Sequence, residues 1–157
     1  MNIPLGRILV PTDFSDKARM ALSYGVTLAE RFGSTLHVLH VIEAVMDVSP
    51  LPQEFGARDE LDRAIVESAW DELNELLPAD DRKRLKIEFA IEWGVPFTEI
   101  IRYAHARQIE LIAMGTHGRG GVKHLILGSV AENVVRSAPC PVLTVRQHPM
   151  SARNVAA

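Results

Sequence analysis

Five short apolar runs alternate with four longer stretches of helical period, and this alternation limits the folds open to the chain more than any other feature. The runs are Leu5–Thr12 (LGRILVPT), Thr35–Ile42 (TLHVLHVI), Leu85–Ile91 (LKIEFAI), Glu110–Met114 (ELIAM) and Pro141–Arg146 (PVLTVR). Their length and β-branched content suit strands. Between them, Ser15–Phe32 repeats apolar residues at Ala18, Leu22, Val26 and Ala29. Gln53–Leu77 does so at Leu61, Ile65, Ala69, Leu73 and Leu76, with Val66, Trp70 and Leu77 widening the stripe. Phe97–Arg107 carries Ile100, Ile101 and Ala104, and Ser129–Arg136 carries Val130, Val134 and Val135. Strands separated by whole helices cannot be hairpin partners. They run parallel and are joined by right-handed crossovers. The expected fold is α/β, a single doubly wound five-stranded parallel sheet with helices on both faces.

Length and composition narrow the reading. At 157 residues the chain is expected to form one domain over residues 1–146, with a small, polar tail at 147–157 that frays. Seventeen Lys and Arg against twenty Asp and Glu leave a net charge of -3, which argues against a nucleic-acid partner. One cysteine, Cys140, rules out an internal disulfide and a Cys-rich metal site. It reads as a buried or edge thiol leading into the last strand. No apolar run approaches the roughly 18 residues of a membrane span, and MNIPLGRILVPTDFSD has no charged region before its apolar run. A cytoplasmic, membrane-free protein is expected.

Ligands of open α/β sheets sit beyond the carboxyl ends of the strands, where strand order reverses. Two segments follow strands in this way: Pro11-Thr12-Asp13, and MGTHGRGGVKHLILGSVAENVV from Met114 to Val135. The second holds Gly115, Gly118, Gly120, Gly121 and Gly128, five of the ten glycines within 14 residues. Glycine costs more backbone entropy to order than any other residue, so this density needs a conformational reason. Successive backbone N–H groups there can form an anion nest, and the helix after Gly128-Ser129 leaves N–H donors free at its first turn. His117, Arg119, Lys123 and His124 add side-chain donors. A di- or triphosphate fits; a solvated glycine-rich turn is the plain alternative. Ser129-Val130-Ala131-Glu132 also reads as a capping box. The segment matches neither the G-x-x-x-x-G-K-[ST] loop nor the dinucleotide fingerprint, because Lys123 stands where the third glycine would be.

The spacing Gly115-x-x-Gly118, nine residues, then Gly128-Ser129 resembles the ATP-binding signature of the universal stress protein family. ILVPTDFS, VLHVIE, WGVPFTEII and MGTHGRGG…LGSVAENVVRSAPCPVLTVR extend the resemblance over roughly residues 3–146. The resemblance implies a strand order of 3-2-1-4-5 and an ATP site. In that site Gly115, Gly118, Gly128, Ser129 and Val130 contact phosphates and ribose, with Met114, His117 and Arg119 in the same segment. Pro11, Thr12 and Asp13 face the adenosine, and Val41 offers backbone groups to the base. It also implies a homodimer paired through the last strand, with Val142, Leu143 and Val145 at its edge.

Asp13 is the one candidate ligand for Mg2+ or Mn2+ arriving with the nucleotide; its other role is to accept N–H groups at the start of the first helix, shared with Ser15. His37 and His40, three apart on a strand, point to opposite faces and form no metal pair. His105 is expected at the surface, Trp70 and Trp93 in packing. The expected function is an ATP-binding sensor or regulator of the stress response, whose downstream protein partner the sequence does not name. Alternatives are a slow ATP hydrolase or phosphoryl-transfer enzyme using His117, Arg119 and Asp13, and a nucleotide-free dimerisation scaffold. An ATP pyrophosphatase-type ligase ranks last, because PTDFSD has no glycine where its phosphate loop would lie.

Overall fold

β1 (Arg7–Thr12) runs through the middle of the sheet, and the alternation of its side chains decides the layering. Ile8 and Val10 are fully buried on one face and Leu9 on the other. The computed structural model describes residues 5–43, 57–116 and 127–146. After β1 come α1 (Asp16–Phe32), β2 (Thr35–Ile42), α2 (Ala57–Glu75), α3 (Ala79–Arg84) and β3 (Lys86–Trp93). α4 (Pro96–Ala106), β4 (Leu111–Gly115), α5 (Ser129–Ser137) and β5 (Val142–Val145) complete the order. All strands are parallel, in the order β3-β2-β1-β4-β5, as expected.

Each face has its own core. Ile8, Val10, Leu36, Val38, Ala113 and Val145 meet Ala21, Leu22 and Ala29 of α1 and Leu73 of α2. Leu9, Leu39, Ile112 and Met114 meet Ile100, Tyr103 and Ala104 of α4 and Ala131 and Val134 of α5. α1 lies close on the sheet because it carries Gly25 there. A Cβ at that position would stand 2.5 Å from Val10 Cγ2. The helix therefore approaches β1 more closely than any side chain at residue 25 would permit.

The structure departs from the sequence reading in several places. Pro78 starts a separate short helix, α3, which buries none of its residues and so carries no apolar period to detect. Asp80 and Asp81 in its first turn and Arg82, Lys83 and Arg84 in its last complement the helix dipole instead. Leu61 and Ile65 sit on the expected apolar stripe of α2 yet remain 60% and 37% exposed; among the described side chains of that helix only Ala69 and Leu73 are buried. Trp70 and Trp93 are likewise only partly packed, at 39% and 41% exposure. The start of the expected second helix (53–56) and the tail at 147–157 lie outside the described residues. No described helix is long and apolar enough to cross a membrane.

Candidate functional site

The strand order reverses between β1 and β4, so the crevice of this sheet opens above their carboxyl ends. The turn leaving β1 is built from side chains. Thr12 is buried, and its Oγ1 accepts the N–H of Phe14 at 3.0 Å. Asp13 Oδ1 accepts the N–H of Ser15 at 3.1 Å and its hydroxyl at 2.6 Å. Ser15 caps α1, its side chain accepting the N–H of Ala18 at 3.3 Å. Phe14 is a non-glycine residue at φ 64, a conformation that costs roughly 1–2 kcal/mol, and its ring is buried. The short polar side chains around it stabilise that turn. Asp13 thus does perform the capping work that was its alternative reading, sharing it with Ser15.

Three contacts bring this turn to the end of β4 and the mouth of α5. Gly115 ends β4 opposite Val145. A Cβ on it would stand 3.1 Å from the carbonyl carbon and oxygen of Lys17, in the first turn of α1. The missing side chain is therefore what lets the α1 backbone lie against β4. The N–H of Thr116 continues the ladder to Val145 O at 3.1 Å, and Thr116 O accepts the N–H of Gly128 at 2.6 Å. Gly128 is the N-cap of α5. Thr12, Asp13, Gly115, Gly128 and Ser129 accordingly border one crevice. His117, Gly118 and Arg119 lie outside the described residues.

Among the described residues no side chain caps α5. Gly128 has no side chain to cap with, and the expected capping box does not form. Ser129 is already the first helical residue, one position too late to cap. Glu132 gives its backbone N–H to Gly128 O at 2.9 Å, while its carboxylate accepts from Arg136 at 2.9 Å one turn further on. Its charge is drawn toward the far end of the helix. Helix geometry leaves the N–H groups of Ser129, Val130 and Ala131 without intrahelical partners, at the positive end of the dipole. Chemically the crevice offers amide donors on the α5 side and a carboxylate acceptor on the α1 side. That combination fits phosphate oxygens at one end and hydroxyl groups at the other. Among the described residues no three His, Cys, Asp or Glu side chains cluster to hold a metal.

Other expected residues fall at the edge of this geometry. Pro11 lies within β1 opposite Leu39, half-buried. The Met114 side chain is buried in the core under α4 and α5, so only its backbone borders the strand end. Val41 lies near the end of β2, half-buried against the same core. His37 and His40 do face opposite sides: His37 Nδ1 lies 3.1 Å from Tyr103 Oη under α4, while the His40 ring packs on Phe14. Two contributors escaped the sequence reading. His40 Nδ1 bonds Thr12 O at 2.9 Å, and the Lys17 backbone packs on Gly115. Both depend on the register between strands and helix, which no local pattern encodes. Burial pushes the Cys140 thiol above its ordinary value, which keeps it protonated and poorly reactive at neutral pH.

Comparison with known proteins places the chain. A universal stress protein of Methanocaldococcus jannaschii is 33% identical over 156 residues, covering 90% of this chain and 82% of the relative. The structure of universal stress protein UspA from Lactobacillus plantarum superposes with a TM-score of 0.76 at 29% identity, covering 92% of this chain and all of that one. The universal stress protein from Archaeoglobus fulgidus in complex with dAMP shares the fold at a TM-score of 0.63 and 21% identity, over 91% of this chain and 98% of that one. Residues 4–146 match the sequence profile of the universal stress protein family, and the chain belongs to that family.

Proposed function

We propose that the protein binds ATP in the crevice between β1 and β4 and serves as a nucleotide-dependent regulator of the stress response in the cytoplasm. The observation that carries the reading is the side-by-side placement of an acceptor turn, Thr12–Asp13, and the uncapped mouth of α5, joined through Gly115 and Thr116. The amides of Ser129 and Val130 would meet phosphate oxygens, and Asp13 the ribose hydroxyls. Val41 and Pro11 would border the base. The Archaeoglobus fulgidus relative was solved with dAMP, which supports an adenine nucleotide as a ligand that this architecture accommodates. In the same proposal His117, Gly118 and Arg119 belong to the phosphate segment, and Mg2+ or Mn2+ accompanies the nucleotide beside Asp13. This reading is of binding rather than turnover: Asp13 Oδ1 accepts the N–H and the hydroxyl of Ser15 at the start of α1.

The proposal includes a homodimer through β5. Among the described residues β5 pairs only with β4 and so forms an edge of the sheet. Val145 is buried and Val142 and Leu143 are half-buried against the two cores, so backbone pairing would carry the contact more than these side chains.

Calorimetry with Mg-ATP tests the binding, with mass spectrometry of nucleotide released from freshly purified, denatured protein. A micromolar dissociation constant, about -8 kcal/mol, is expected. A flat titration together with no released nucleotide overturns the reading. Sedimentation at micromolar protein should give the mass of two chains; a monomer would remove the dimer.

A further inference from the structure

We infer that His40 is a positioning residue for nucleoside selection: its imidazole, on β2, sets the direction in which the Thr12–Asp13 turn of β1 faces the crevice. This inference rests on the nucleotide reading above and adds to it the residue that governs selectivity.

Thr12 and His40 are register partners in the parallel β1–β2 ladder, at the point where β1 leaves the sheet. Beyond Thr12 the chain turns through Phe14 at φ 64 into α1. At the end of this ladder the Thr12 carbonyl also meets a side chain: His40 Nδ1 lies 2.9 Å from Thr12 O. A carbonyl oxygen only accepts, so Nδ1 carries the proton, which fixes the neutral tautomer with the lone pair on Nε2.

Two further contacts close a circuit. The Phe14 ring lies on the His40 ring, with centroids 4.4 Å apart at 36°. The Phe14 N–H returns to Thr12 Oγ1 at 3.0 Å. His40 holds Thr12, Thr12 holds Phe14, and Phe14 packs on His40. Asp13 stands at the apex of this circuit, and its orientation follows from the residues on either side. His40 therefore acts through the turn and touches no phosphate-binding amide of α5. Its removal should damage recognition of the nucleoside and spare attraction for the phosphates.

The experiment compares wild type, His40→Leu, His40→Asn and His40→Gln, each titrated with Mg-ATP and with inorganic triphosphate. Asn places an N–H donor near the position of Nδ1; Gln places it near Nε2. The readout is the ratio of the triphosphate dissociation constant to that of ATP. Losing one positioning hydrogen bond should lower this ratio by about fivefold to tenfold in His40→Leu, with triphosphate binding unchanged. His40→Asn should restore most of it and His40→Gln should not. A wild-type ratio in His40→Leu overturns the inference, as does an equal loss in the Asn and Gln variants. If His40→Leu fails to fold, the Asn and Gln pair decides alone. If wild type binds neither ligand, or binds both equally, the nucleotide reading itself falls, an outcome distinct from failure of His40.

Discussion

Two helix mouths flank the crevice, and they are built in opposite ways. At α1 every step is closed by a side chain: Thr12 takes the N–H of Phe14, Asp13 takes Ser15, and Ser15 takes Ala18. At α5 the cap is Gly128, with no side-chain bond, and the one carboxylate in the first turn is paired with Arg136. Both helices carry the same dipole sense toward the crevice, so the dipole alone does not distinguish them. Occupancy does. Among the described residues Ala18 of α1 finds a side-chain acceptor in Ser15, whereas α5 has no side-chain cap. In the proposed nucleotide site, that difference would direct the ligand's anionic end to α5 and its hydroxyl-bearing end to Asp13. The missing side chains matter on the α5 side for a second reason: Gly115 lets the two mouths stand next to each other.

The comparison breaks most severely at Gly115. A Cβ there meets the Lys17 main chain at 3.1 Å, and main chain cannot rotate away. Gly115→Val should cost about 3 kcal/mol by overpacking, and Gly115→Ala about 1 kcal/mol, read from urea midpoints. Nucleotide retention should fall with them, because α1 moves away from β4. A Gly115→Val protein with the wild-type midpoint would show that α1 and β4 are not held apart by that atom, and the shared crevice would lose its basis.

The contrast between satisfied and unsatisfied polar groups recurs within β2, and pH reads it out. His40 has its carbonyl partner, whereas His37 Nε2 is buried with no hydrogen-bond partner. Around His37 stand Tyr103 of α4, Arg107 just after it, Glu88 of β3 and Arg7 of β1. Burial lowers its pKa below the ordinary value near 6.5. Glu88, 3.6 Å from Nδ1, opposes that shift, while Arg107 and Arg7 reinforce it. The folded protein therefore binds this proton less readily than the unfolded chain. The contribution of His37 to stability is fully present above about pH 6.5 and is lost as pH falls toward the lower folded value. One proton limits the slope to about 1.4 kcal/mol per pH unit. His37→Gln should flatten the urea midpoint between pH 6.5 and 5, and an unchanged slope would assign the acid sensitivity to other groups.

These cases also show what the sequence could disclose. The layering and the strand order followed from runs of alternating type and from the family resemblance, because burial on both faces leaves a periodic signature in the text. The opposite placement of His37 and His40 followed from strand geometry alone. What the text did not carry was register. Ser129 looked like a cap because Glu132 stands three residues on, yet the chain enters α5 one residue earlier, at Gly128, where the bond from Thr116 O fixes it. Gly115 read as a ligand contact, while its neighbour is the Lys17 main chain, a tertiary fact. α3 has no apolar period to find. Leu61 and Ile65 fit the stripe of α2, but at 60% and 37% exposed they lie off its packed face.

The smallest effect separates the two mouths most sharply. Ser15 is a working cap, donating to Asp13 at 2.6 Å and accepting from Ala18, so Ser15→Ala should cost about 1 kcal/mol. Ser129 occupies the first helical position, where its carbonyl accepts from Asn133 Nδ2 at 2.9 Å and α5 has no side-chain cap. Ser129→Ala should therefore change stability by less than about 0.5 kcal/mol while still weakening retention of ATP. The two serines look alike in the sequence, each at the start of a helix that faces the crevice. If their alanine variants cost equal stability in urea, α5 is closed by its own hydroxyl after all. Its amides would then have no claim to a ligand. If Ser129→Ala is silent in urea and visible only in the ATP titration, the hydroxyl serves the bound molecule rather than the fold.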